Sequence, residues 1–254
     1  MIDSAGALPL APSFDVIGIL ALEPSVLRAA FGSAVSSALV PAPPLRRVLL
    51  PVDCLQSLEP GPAEAILGVA SLLSDRIGVQ VEERRLEHLT SSTVADLFAR
   101  LQGREIWATH SAWIAENRHS LAADVQARLD RAEQLAGASA EEAAADARAW
   151  AAYRREHEAV ITDGTALLLP VMSGLPPLRD ASEGALRTFR EQALRWNAPS
   201  SLTGSAQAVV PVRHERSGLT YGVGLLGGRG HDSSLLAAVC SAFEDAGKPP
   251  VAPA

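Results

Sequence analysis

The sequence predicts one α/β domain in which strands and helices stack in layers. Two observations carry this. Residues 46–84 run strand, helix, strand, the order of a layered sheet-and-helix unit. Apolar residues make up 48% of the 254-residue chain and charged residues only 20%, enough to bury a sizeable core and too little charge for wholesale disorder.

The elements follow in order. Residues 1–20 carry prolines, glycines and short apolar runs and read as extended and turn-like. Pro24 suits the first turn of a helix, and Val26, Leu27, Ala30 and Phe31 give it one apolar face to about Leu39. Pro41-Ala42-Pro43-Pro44 stops it. Arg46 to Val52 reads as a buried strand. A helix follows from Pro62 to Ile77, with Ala63, Ile66, Leu67, Ala70 and Leu73 on one face and Gly78 as a left-handed cap. Val79 to Arg84 is the next strand.

Residues 92–102 and 104–116 read as two helices separated by Gly103, and residues 121–136 as a third, stopped by Gly137. Ser139 and Glu142 form a capping box that opens a long alanine-rich helix to about His157. Ala166 to Pro170 is a short central strand, and Ser173 to Pro177 a loop. Asp163 and Thr165, just before that strand, fit turn chemistry. Residues 183–196 read as a helix; Ala208 to Val212 and Thr220 to Leu226 as two strands turning at Gly218; and Asp232 as the cap of a last helix to about Glu244. The division expected is one domain over 1–247 and a flexible tail over 248–254.

Several functions are disfavoured. A net charge of −7 supplies no basic field for nucleic acid. No run of about 18 uncharged apolar residues marks a membrane span, and the first residues lack a basic n-region. Cys54 and Cys240 form no CxxC pair, so they read as buried hydrophobes in a reducing, cytoplasmic protein. The six histidines show no HExxH spacing, so neither a metal nor any other cofactor is expected. Gly222, Gly224 and Gly227 fit GxGxxG but lie within a strand with no following βαβ unit; they read as close packing rather than a dinucleotide site.

No GxSxG elbow occurs, and the single lysine, Lys248, lies in the tail. No catalytic residue is therefore assigned. Trp107 and Trp113, in a stretch rich in polar and aromatic groups, are six residues apart and do not share a helix face; packing is the simpler reading of both.

Three segments, Ala7 to Gly18, Leu167 to Pro170 with Pro176-Pro177, and Gly222 to Leu236, resemble in their order the amidase signature family. Ala7 to Gly18 (Ala-Leu-Pro-Leu-Ala-Pro-Ser-Phe-Asp-Val-Ile-Gly) is similar to the segment that follows that family's Gly/Ser-rich signature. Leu167-Leu168-Leu169-Pro170 with Pro176-Pro177 resembles its strand-and-proline loop, and Gly222 to Leu236 resembles a segment at its C-terminal end. Gly103 to Trp107 with Trp113-Ile114 looks most like the indole-acetamide branch. The likeness runs over about residues 4–245. Val171 stands where the family usually has threonine, and a Gly-Leu-Pro-type turn appears as Gly204-Ser205-Ala206.

The resemblance implies a mixed central β-sheet flanked by helices, incomplete here. It implies a hydrolase of linear carboxamides whose lysine and two serines lie in a block before Ala7, so that this chain alone is expected to be inactive and to leave a sheet edge open. Trp107, Trp113, Ser201 and Thr203 are the expected substrate-pocket wall. The expected partners are a small-molecule amide and an N-terminal amidase half or a second copy of the chain. The competing expectation is a non-catalytic remnant or binding module that kept the amidase packing.

Overall fold

The computed structural model describes residues 6–35, 43–214 and 218–243, with the backbone of residues 251 and 252. Strands β1 (Arg47–Pro51), β2 (Gln80–Arg84), β3 (Thr165–Pro170), β4 (Gln207–His214), β5 (Thr220–Leu226) and β6 (Val251–Ala252) form one sheet in the order β2-β1-β3-β5-β4-β6. It is mixed, as the resemblance implies. β1 runs parallel to β2 and β3, β5 antiparallel to β3 and β4, and β6 parallel to β4. Two residues of the expected tail thus join the sheet through Arg213 and His214; the rest of residues 244–254 lie outside the described residues.

The pleat divides the apolar residues between two cores. Val48 and Leu50 of β1, Ala166 and Leu168 of β3, and Val223 and Leu225 of β5 face one side. They meet Ile66, Val69 and Leu73 of α3 (Pro60–Ile77) and Leu235, Val239 and Phe243 of α9 (Asp232–Phe243). Leu49, Leu167, Leu169 and Leu226 face the other side. There they meet Leu97 and Phe98 of α5 (Ser92–Asn117), Tyr153 of α7 (Ala140–Val160), and Trp196 and Leu202 of α8 (Glu183–Thr203). A strand buried on both faces is apolar at every position, and β3 is buried along its whole length.

The remaining helices are α1 (Pro24–Ala34), the single turns α2 (Val52–Leu55) and α4 (Glu87–Thr90), and α6 (Ala123–Ala136). The capping box at Ser139 forms: its hydroxyl accepts from Glu142 N (3.2 Å), and the Glu142 carboxylate accepts from Ser139 N (2.8 Å). Gly78, at φ 67°, ends α3 in the left-handed conformation.

Four local expectations are corrected. Residues 92–117 form one helix, not two. Gly103 is buried there because α6 comes close: an added Cβ would sit 2.7 Å from Leu135 Cδ1. The glycine serves packing rather than chain breaking. Second, α8 passes through Pro199 to Thr203 instead of stopping at 196, and Gly204 at φ 62° ends it. Third, Asp232 opens the first turn of α9, and the preceding residue supplies the first accepting carbonyl, His231 O to Leu235 N at 3.0 Å. Fourth, α1 ends at Ala34; residues 36–42, with the Pro41-Ala42 stop, lie outside the described residues.

The strand glycines behave as close-packing positions. A Cβ on Gly222 would lie 3.1 Å from Val171 Cγ2, and one on Gly224 2.7 Å from Gln207 Nε2. One sheet edge, β2, carries Glu82, Glu83 and Arg84, charges that discourage edge pairing. On the other side, residues 207–212 of β4 pair only with β5 among the described residues.

Candidate functional site

The N-terminal segment is fastened onto the helical face of the domain by three devices. The Asp15 carboxylate accepts from the backbone N–H of Leu10 (2.9 Å) and Ala11 (3.2 Å), closing a compact turn. Phe14 packs edge-on against Phe98 (5.2 Å between centroids) and against Trp150 of α7 (5.5 Å). From α5, Glu105 accepts from Ser13 N (2.9 Å), and His110 Nε2 lies 2.7 Å from Pro9 O. Three positions of the Pro-Ser-Phe-Asp stretch thus have a physical role: Asp15 closes the turn, Phe14 anchors it and Ser13 N donates to Glu105.

This anchoring sets Ser13 at the rim of a cavity of about 210 Å³. The other walls are Trp150 and Arg154 of α7, Ser201 to Gly204 at the end of α8, and Arg229 from the loop between β5 and α9. Trp150 and Arg154 are i, i+4 neighbours on α7, so both reach the same spot. The Trp150 indole donates to Leu202 O (2.6 Å), tying α7 to the end of α8. The Thr203 hydroxyl donates to Pro199 O (2.7 Å) and lies 2.8 Å from Ser205 Oγ.

Of the four residues expected on the pocket wall, Ser201 and Thr203 therefore stand together on this cavity. Trp107 and Trp113 lie on α5, outside the walls of both cavities described here, and Trp113 is 52% exposed. Trp150, Arg154, Arg229 and Ser13 were not picked out from the sequence. The i, i+4 pair on α7 is a legible pattern, but nothing local ties it to residues 13, 201 and 229.

A larger apolar groove, about 500 Å³, lies on the other side of the sheet. Ile17 and Leu20, Leu27 and Phe31 of α1, Val209 of β4 and Leu236 of α9 line it. It runs beside the edge of β4 that pairs with β5 alone, and Val209 is 51% exposed there.

Buried ionisable groups elsewhere have structural explanations. Asp146 accepts from Arg100 (2.9 Å) and pairs with Arg104 (2.7 Å), which fastens α7 to α5. Burial opposes its charged form, but the two guanidiniums outweigh burial and hold its carboxyl below the usual range. Burial pushes the Cys54 thiol up to about 11, its Sγ lies 3.2 Å from Thr90 Oγ1, and Cys240 is buried too. Both cysteines are small buried groups, as expected. Thr165 N donates to Thr162 O (2.9 Å), so the segment before β3 is a turn. Among the described residues no three His, Cys, Asp or Glu side chains are placed to hold a metal, and no helix is long and apolar enough to cross a membrane.

No family profile matches the chain. Amidase 1 of Oryza sativa subsp. japonica is 23% identical over 266 residues, which is 93% of this chain and 59% of that protein. An allophanate hydrolase of Kluyveromyces lactis superposes with a TM-score of 0.79 at 17% identity, over 96% of this chain and 42% of the other. A second solved structure, an amidase, gives 0.70 at 22% identity over 96% of this chain and 55% of the other. The fold is therefore that of a large part of an amidase-type hydrolase. Over 93% of its length the chain is similar in sequence to that Oryza sativa amidase, and its fold is similar to part of these two hydrolases. It spans about 59% of the length of the curated relative it matches.

Proposed function

We infer that these 254 residues are the C-terminal, non-catalytic portion of a carboxamide hydrolase. They supply a half-sheet and part of the pocket wall, and a further block supplies nucleophile, base and oxyanion donors. The observation that carries this reading is the mismatch in coverage, 93% of this chain against 59% of the relative, in a chain whose single lysine is Lys248. A Ser-Ser-Lys mechanism needs a lysine base beside its nucleophile, and the structure described here holds none. The apolar groove beside β4 suits contact with such a block, because apolar surface and an unpaired strand edge are both costly to leave in water. Two buried free cysteines fit work in a reducing cytoplasm.

The test is complementation. The 254-residue chain is mixed or co-expressed with the triad-bearing half of a related amidase, and release of ammonia from simple linear amides is followed. Activity of the mixture, absent from either part, is the expected result. No activity together with no association would remove this reading.

A second reading is a remnant or binding module that kept the packing. The observation in its favour is that both faces of the sheet carry a closed core made by this chain alone. It predicts a cooperatively folded chain in which a fluorophosphonate probe labels no serine; a molten isolated chain would argue against it.

A further inference from the structure

The geometry points to a carboxylate-binding pocket between Arg154 and Arg229, walled by Trp150 and the end of α8. This deepens the reading above, on which it rests only for calling the ligand a substrate or product group. Arg154 and Arg229 both line the cavity, and neither makes an ion pair or hydrogen bond among the described residues. Arg47, Arg84, Arg100, Arg104, Arg118 and Arg128 have carboxylate partners, whereas Arg154 and Arg229, like several other arginines, have none among the described residues; what sets these two apart is that they line one cavity. Ser13 and Ser201 line the same cavity, and their hydroxyls have no partner among the described residues, which leaves two further donors for an oxyanion.

The surrounding structure reduces what would oppose an anion. A helix C-terminus presents carbonyls and a partial negative charge. Here three carbonyls near the end of α8 are already engaged: Pro199 O by the Thr203 hydroxyl, Ser200 O by the N–H of Gly204 and Ser205, and Leu202 O by the Trp150 indole. Gly204 lets Arg229 lie across the helix end, its Nε 3.5 Å from where a Cβ would be. Arg154 is steadied over the Trp150 ring, 5.8 Å from the centroid.

An organic carboxylate fits better than inorganic phosphate. Two guanidinium forks suit either, but the indole of Trp150 and the Leu202 backbone give the cavity a flat, partly apolar wall for a carbon skeleton. At about 210 Å³ the cavity admits a small acid such as benzoate or malonate, not a peptide.

Titration of the 254-residue chain with benzoate, malonate, phosphate and chloride at constant ionic strength tests this, read by calorimetry and by the indole N–H resonances of its four tryptophans. The expected result is saturable binding of a carboxylate that shifts the Trp150 indole resonance, identified by its loss in Trp150→Phe, and leaves Trp107 and Trp113 in place. Arg154→Gln and Arg229→Gln should each weaken binding about tenfold, and Arg128→Gln should leave it unchanged. Amide spectra establish that the variants are folded. Wild-type binding and the Trp150 shift decide the matter even if a variant is not. Absence of saturation in the wild type, phosphate binding as tightly as benzoate, or equal weakening by Arg128→Gln would overturn the assignment. Binding is read without hydrolysis, so this proposal and the complementation test fail separately.

Discussion

Truncating Leu168 or Leu167 to alanine tests whether this chain by itself closes both faces of its sheet. The two residues are sequential on β3, both 0% exposed, and point into opposite cores. Each truncation removes a fully buried side chain worth about 1.5–3 kcal/mol in transfer alone. A cavity term is added, because neighbours collapse little around a central strand; here β3 is held between β1 and β5. Measured leucine truncations of this kind cost about 2.7–5 kcal/mol, so each variant should lose about 3–4 kcal/mol. Against a total stability on the order of 5–15 kcal/mol that is a large fraction. Urea denaturation followed by circular dichroism, with the slope held common to variants and parent, reads it directly. Near-equal losses are expected. If Leu167→Ala cost less than about 1 kcal/mol while Leu168→Ala cost the full amount, the face under α5, α7 and α8 would be loose, and the argument for two closed cores would fail.

Two pH predictions separate two buried groups. His157 is 1% exposed, and burial holds its imidazole down at about 4 from an ordinary 6.5. The unfolded chain therefore takes up a proton that the folded one refuses. Its contribution is whole above pH 6.5 and is lost as pH falls toward 4, on the order of 3 kcal/mol in all. His157→Gln should flatten the melting temperature over that interval, and an unchanged slope would refute the assignment. Asp146 acts lower. Its folded carboxyl sits below the ordinary 3.8, so its stabilisation is present above that value and lost as pH falls through the folded one. Asp146→Asn should destabilise the protein at pH 7 by about 2–4 kcal/mol, since Arg100 and Arg104 lose their partner, and should remove the steepest part of acid unfolding. An asparagine variant as stable as the parent by thermal melting would show that the cluster does not fasten α7 to α5.

What was legible in the amino-acid order is what depends on neighbours along the chain. The continuous apolar run Ala166 to Leu169 predicts a strand covered on both faces, and β3 is one. Ser139 and Glu142 predict a capping box, since both partners lie within one turn. Gly222 and Gly224 read as close-packed strand positions because no helix follows where a nucleotide fold needs one. The order of three family-like segments implied a mixed sheet, and the sheet is mixed. Gly103 misled because glycine has two uses, breaking a helix or admitting a neighbour, and only the position of Leu135 on α6 decides between them. The helix expected over 183–196 runs further for a similar reason: α8 continues through Pro199 to Thr203, held by the Trp150 hydrogen bond to Leu202 and by core contacts, which propensity alone cannot count.

The cavity belongs to the second kind of information. Ser13, Trp150, Arg154, Ser201 and Arg229 come from four segments spread over more than 200 residues, brought together by the Phe14 anchor and the Trp150–Leu202 hydrogen bond. By itself the sequence determined the layers, most of the elements and the absence of an internal lysine, because composition and period are local properties. Only the tertiary structure decided which hydroxyls and guanidiniums share a pocket and which lack partners, because pairing depends on distances that the chain order does not contain.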